Sequence, residues 1–117
     1  MAGSAKDFEA ITASINAGMA GLREPAGETL KAFSGLASAA TADGALDKKM
    51  KELIALAIGV SKQCDGCIGF HVKALAKLGA TDEEVADALS MTVYMGGGPS
   101  LMYAADAWTA WQQARTG

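Results

Sequence analysis

Apolar side chains recur along most of this chain every three or four residues, and nowhere do they alternate over the length of a strand. Phe8, Ile11, Ile15 and Met19 fall at helical spacing, with Asp7, Glu9 and Asn16 off that stripe, so a first helix is predicted from Ala5 to about Ala20. Residues 1 to 4 read as a loose end. Gly21 and the Arg23-Glu24-Pro25 turn close this helix. Pro25 can open a second one, running to about Ala40 with Leu30, Phe33, Leu36 and Ala37 on its apolar face. Thr41 to Leu46 carries turn chemistry. Asp47 then offers an N-cap carboxylate to a helix from Lys48 to Ser61, charged at its start and almost wholly apolar after it. A helix apolar on all sides is expected to be buried on most of them.

Lys62 and Gln63 make a short break before a second buried helix, Cys64 to Leu78, with Gly79 as its C-cap. Thr81 and Glu84 have capping-box spacing and open a helix carrying Val85, Leu89, Thr92 and Val93, which stops at Gly96-Gly97-Gly98. Pro99 starts the last helix, with Leu101, Met102, Ala105, Trp108 and Trp111 as its apolar side. The prediction is an all-α bundle of about six helices, one domain over residues 1–117.

Composition sharpens this. Half the 117 residues are hydrophobic but only 6% are aromatic, which favours helix over sheet. A mean hydropathy of +0.18 is high for a small monomer and points to apolar surface shared between subunits of a homo-oligomer. A net charge of −3 with no basic patch argues against a nucleic-acid partner. The longest apolar run, Leu53 to Val60, falls short of the roughly 18 to 20 residues a membrane span needs. The start of the chain lacks a signal-peptide pattern, so a cytoplasmic, reducing compartment is expected. Two cysteines spaced as Cys-x-x-Cys then suggest redox or metal chemistry rather than a structural staple.

The candidate chemistry lies between Glu52 and His71. Cys64-Asp65-Gly66-Cys67 falls at a predicted helix N-terminus, where the helix dipole favours a thiolate, the reactive form of cysteine. First-turn spacing lets the two sulfurs meet, one attacking and the other resolving, and Gly66 is expected to keep the approach open. His71, the only histidine, follows Cys67 by one turn on the same face and can exchange a proton with it. If the two central helices pack antiparallel, Glu52 reaches His71 or Cys67 and orients the imidazole. Each residue alone has a plainer use: a glutamate near a helix start serves the dipole, and a single histidine is more often a satisfied core residue. Phe70, Met91, Met95, Trp108 and Trp111 read as core or interface, while Met91, Tyr94, Met95 and Met102 are candidates to line a substrate pocket. Two Cys, one His and one Glu also suit a zinc-stabilised scaffold, although three of them on one short helix surround an ion awkwardly.

The ordered pattern Glu52, Cys64-x-x-Cys67 and His71 resembles the carboxymuconolactone decarboxylase superfamily in its alkylhydroperoxidase D (AhpD)-like branch. The likeness continues through Leu78-Gly79-Ala80-Thr81-Asp82-Glu83-Glu84 and Met95-Gly96-Gly97-Gly98-Pro99, covering roughly residues 46–112. The resemblance implies an all-α fold with the site on two central helices, trimeric or hexameric assembly, and thiol-dependent peroxidase or disulfide-reductase activity in antioxidant defence. Cys67, assisted by Glu52 and His71, resembles the thiol that meets peroxide, and Cys64 resembles the more exposed partner that closes the disulfide. It further implies a peroxide or disulfide substrate, an external dithiol such as a lipoyl group as electron donor, and no resident cofactor or metal. One departure stands out: the best-known AhpD proteins carry histidine just before the second cysteine, and here it is Gly66. That removes one proton-handling group and points to weaker peroxidase turnover. The decarboxylase branch, a lyase of aromatic catabolism, is the alternative, but it would leave the cysteine pair idle. An inactive oligomer is the other.

Overall fold

The computed structural model describes residues 5–116. The reading of residues 1 to 4 as a loose end lies outside that range. Six helices follow in order: α1 (Phe8–Leu22), α2 (Gly27–Thr41), α3 (Lys48–Ser61), α4 (Asp65–Lys77), α5 (Asp82–Gly96) and α6 (Gly98–Thr116). Among the described residues there is no strand. The all-α prediction holds, and α3 starts and ends where the sequence places it.

The caps explain that agreement. Asp47 accepts from the Met50 amide at 2.8 Å and fixes the start of α3. Thr81 and Glu84 form the expected reciprocal box at α5, at 3.1 and 2.9 Å. At α1 the cap corrects the reading: Asp7 accepts from the Ala10 amide, so the helix begins at Phe8 rather than Ala5. Gly21 does not stop it, and the helix runs on to Leu22. Pro25 stays in the turn, and α2 begins at Gly27 without a side-chain cap.

Four helices share the core. Leu56 and Val60 of α3, Ile68, Val72 and Leu75 of α4, Val85 of α5 and Trp111 of α6 are buried together, and α1 adds Phe8. Burying each aliphatic side chain contributes about 1.5–3 kcal/mol. The face of α6 differs from the predicted one. Its buried stripe is Ser100, Ala104, Ala107, Ala110 and Trp111, while Leu101, Met102 and Ala105 are exposed. Small residues let α6 lie close to α4 and α5, and the Trp111 indole donates to Asp82 Oδ1 at 2.7 Å. Nor is α3 buried on most sides: it buries Glu52, Leu53, Leu56, Gly59 and Val60 but exposes Ile54 and Ile58. The α2 helix buries nothing, leaving Phe33 67% and Leu36 62% exposed.

Candidate functional site

The turn between α3 and α4 delivers the cysteines. The Cys64 amide donates to the Gly59 carbonyl and the Gln63 amide to that of Val60, both at 3.0 Å, closing the end of α3. Gln63 takes the left-handed conformation this requires, with φ of 56°. The end of α4 uses the same hydrogen-bond pattern with Gly79, φ 76°, where no Cβ resists it. A strained non-glycine residue therefore directly precedes the cysteine pair.

Cys64 is the N-cap of α4, and its sulfur accepts from the Cys67 amide at 3.1 Å. Cys64 and Cys67 are joined as a disulfide with their Cα atoms 5.3 Å apart. Both are half-buried. In the reduced protein the same amide and the dipole of α4 would favour a thiolate at Cys64.

The proton-handling pair lies deeper. His71 Nδ1 is 2.6 Å from Glu52 Oε1, and Glu52 is only 6% exposed. An ionised Glu52 accepts the Nδ1 proton, fixes the tautomer and leaves Nε2 to take a proton. His71 leaves α4 on the same side as Cys67, one turn on. Glu52 meets His71 near the start of α3, and Gly59 meets Cys67 near its end, so the two helices run antiparallel. A Cβ on Gly59 would stand 3.0 Å from that of Cys67, so glycine lets the helices close behind the thiol. The structure brings the four candidates together as two bonded pairs, Cys64 with Cys67 and Glu52 with His71, linked by the first turns of α4. Among the described residues no group of three or more His, Cys, Asp and Glu side chains is arranged to hold a metal ion.

The α1 helix forms the other wall, and it corrects the expectation for Gly66. A Cβ at Gly66 would lie 2.6 Å from Ile15 Cδ1, so Ile15 fills the space and the approach from that side is closed. One turn on, a Cβ at Gly69 would lie 2.6 Å from Thr12 Cγ2. Thr12 and Ile15 thus seat in a notch made by two glycines three apart, and Lys73 reinforces it by donating to Thr12 Oγ1 and Glu9 Oε1 at 2.9 and 3.1 Å. Glycines inside a helical pattern were the available signal for this close approach.

Met91, Tyr94, Met95 and Met102, the candidates to line a substrate pocket, lie at the surface of the single chain. All four are exposed, and Met91 lines a groove of about 350 Å³ with Met50, Leu53, Ile54, Ala57 and Ala88. Of the residues expected in core or interface, Trp111 is buried, Phe70 and Trp108 are half-buried, and Met91 and Met95 are exposed. No helix among the described residues is long and apolar enough to cross a membrane.

Comparison with known proteins gives a consistent picture. The carboxymuconolactone decarboxylase family profile matches residues 27–110. The chain is similar to a carboxymuconolactone decarboxylase family protein of Legionella pneumophila, whose crystal structure in the apo form superposes with a TM-score of 0.90 at 56% identity, covering 92% of this chain and 96% of that one. It is also similar to a Thermotoga maritima family member proposed to take part in an antioxidative response, with a TM-score of 0.69 and 33% identity over 75% of this chain and 91% of that one. An uncharacterized protein of Cupriavidus necator is 44% identical over 90 residues, 77% of this chain and 78% of that protein.

Proposed function

The chain belongs to the carboxymuconolactone decarboxylase family, and from that premise we propose that it is a thiol-dependent peroxidase and disulfide reductase. The observation that carries this reading is the Glu52–His71 hydrogen bond of 2.6 Å set one helical turn from a bonded Cys64–Cys67 pair. In the reduced enzyme the Cys67 thiolate attacks one peroxide oxygen and the O–O bond breaks. The other oxygen leaves as an alcohol, taking a proton through His71 Nε2. Cys67 is then a sulfenic acid, two electrons poorer. The Cys64 thiolate displaces its hydroxyl, which leaves as water with one more proton, and the disulfide closes. An external dithiol, a lipoyl-type donor in this reading, attacks Cys64. It returns two electrons and two protons and becomes a disulfide itself. Ile15 stands where a histidine at position 66 would reach, so His71 alone moves protons and peroxide turnover is modest.

Copies of this chain associate in the same reading. Phe33 and Leu36 on α2, together with Ile54, Ile58, Tyr94 and Met95, are exposed apolar side chains that a second copy would cover. The expected compartment is the cytoplasm, where the dithiol donor is kept reduced.

The test is consumption of an alkyl hydroperoxide by reduced protein with dihydrolipoamide as donor. Cys67→Ser should lower the rate by about 1,000-fold or more, since the nucleophile is gone. A wild-type rate no faster than dithiol and peroxide alone, or a Cys67→Ser variant with full activity, would sink the proposal.

A further inference from the structure

Asp65 stands between the two cysteines, and its carboxylate opposes a thiolate on either side of it. That carboxylate is engaged. Lys6, from the segment ahead of α1, places Nζ 2.9 Å from Asp65 Oδ1 and 2.7 Å from Asp106 Oδ2 on α6, with the centroid of the Tyr103 ring 4.6 Å away. Hydrogen bonds to Asp106 and then to Asp65 hold the lysine well above its usual pKa, so the ammonium is charged wherever a thiol titrates. The backbone there is clamped independently of the Lys6 side chain: Gln113 Oε1 accepts from the Phe8 amide at 3.0 Å, and Gln113 Nε2 donates to the Lys6 carbonyl at 3.3 Å.

We propose that Lys6 is a positioning residue for the cysteine pair, offsetting the Asp65 charge from 59 positions away in the chain so that Cys64, the N-cap of α4, can stand as a thiolate. This rests on the thiol chemistry proposed above. The charged and titratable groups that the contacts place here are Asp65 and His71 from α4, Glu52 from α3, Asp106 and Tyr103 from α6, and Lys6 itself, with Asp7 beside it at the N-cap of α1. The α1 helix presents the apolar Ile15 to α4 here. Lys6 is a cation bonded to the motif, and it acts through Asp65.

The deciding experiment is the rate of iodoacetamide labelling of Cys64 against pH in reduced protein, for wild type, Lys6→Gln, Lys6→Arg, Asp65→Asn and the Lys6→Gln/Asp65→Asn double variant. Lys6→Gln leaves Asp65 uncompensated and should raise the apparent thiol pKa by about half a unit to one unit, slowing labelling at neutral pH about threefold to tenfold. Asp65→Asn should shift it the other way. The double variant should return close to wild type, and Lys6→Arg should keep the wild-type profile. Molar salt should shrink the differences, because the groups are half-exposed. If Lys6→Gln labels like wild type, or if the double variant is shifted as far as Lys6→Gln alone, the inference is overturned and Lys6 only anchors the chain end. A wild-type thiol with an ordinary titration would count against the proposed function instead. The difference between variants still decides the role of Lys6.

Discussion

The α3–α4 hairpin and the α2 helix both carry apolar residues at helical spacing, yet they end in opposite circumstances. In the hairpin the site and core residues find partners in their own chain, while Ile54 and Ile58 stay exposed: Glu52 meets His71, Cys64 meets Cys67, Gly59 lies against Cys67, and Leu56, Val60, Ile68 and Val72 close the core. In α2 no residue is buried: of its apolar face, Leu30 is half-buried and Phe33, Leu36 and Ala37 are exposed. The α1 helix is intermediate, seating Phe8 and Thr12 but leaving Met19 exposed. An amphipathic pattern states that a face avoids water; it does not state whether the cover comes from the same chain. The hairpin's inner face is covered by its own chain, and in the assembly proposed here α2, with Ile54 and Ile58 on the hairpin's outer face, is covered by a second copy.

The largest effect separating the two regions should come from the proton pair. His71→Gln should lower peroxide turnover by about 100-fold, the lower end for loss of a positioned proton carrier. Glu52→Gln keeps the shape and hydrogen-bonding capacity but loses the charge that fixes the tautomer, and should cost about tenfold. Steady-state turnover with circular dichroism as the folding control checks both. Rates equal to wild type in the two variants would detach the pair from the chemistry and leave it a buried structural contact.

Much of the fold around the site was legible because its signals are local. Asp47 and the Thr81–Glu84 box mark helix starts by chemistry that operates within four residues, and α3 and α5 lie where those signals put them. Two helices joined by a short break left Glu52 able to reach His71 or Cys67 if they packed antiparallel, and the structure shows the antiparallel packing and the contact with His71. What escaped was set at long range. Lys6 carries no mark that it will reach Asp65, and Gly66 looked open because nothing near it in sequence reveals Ile15. On α6 the bulky residues were chosen as the core face, but close helix packing selected the alanines and left Leu101 and Met102 outside.

A smaller effect should distinguish the two glycines of the α1 notch. Replacing a mid-helix glycine by alanine ordinarily gains about 0.5–1 kcal/mol. At Gly69 the new methyl would sit 2.6 Å from the Cγ2 of Thr12, a buried, β-branched side chain that cannot swing away, so overpacking should win. Gly69→Ala is expected to destabilise by about 1–2 kcal/mol. At Gly66 the same distance is to the end of the longer, half-buried Ile15, which can change rotamer, so Gly66→Ala should be near neutral. Urea midpoints measure the difference, and equal losses at both positions would mean that α1 is not seated by this notch.

The smallest effect on the chain's own stability should come from α2, and there the comparison is sharpest. Phe33→Ser with Leu36→Ser removes two large apolar side chains that touch water on most of their surface, 67% and 62% exposed. Surface changes of this kind usually move stability within about 0.5 kcal/mol, so under conditions where the chain is monomeric the unfolding midpoint should barely change. At higher protein concentration the same pair should abolish association, read as a fall in mass by light scattering. The apparent melting temperature of wild type, but not of the variant, should then rise with concentration. If the variant assembles as wild type does, the second copy does not cover α2. If the monomer itself loses several kcal/mol, α2 packs within the chain, and the contrast between the two regions fails.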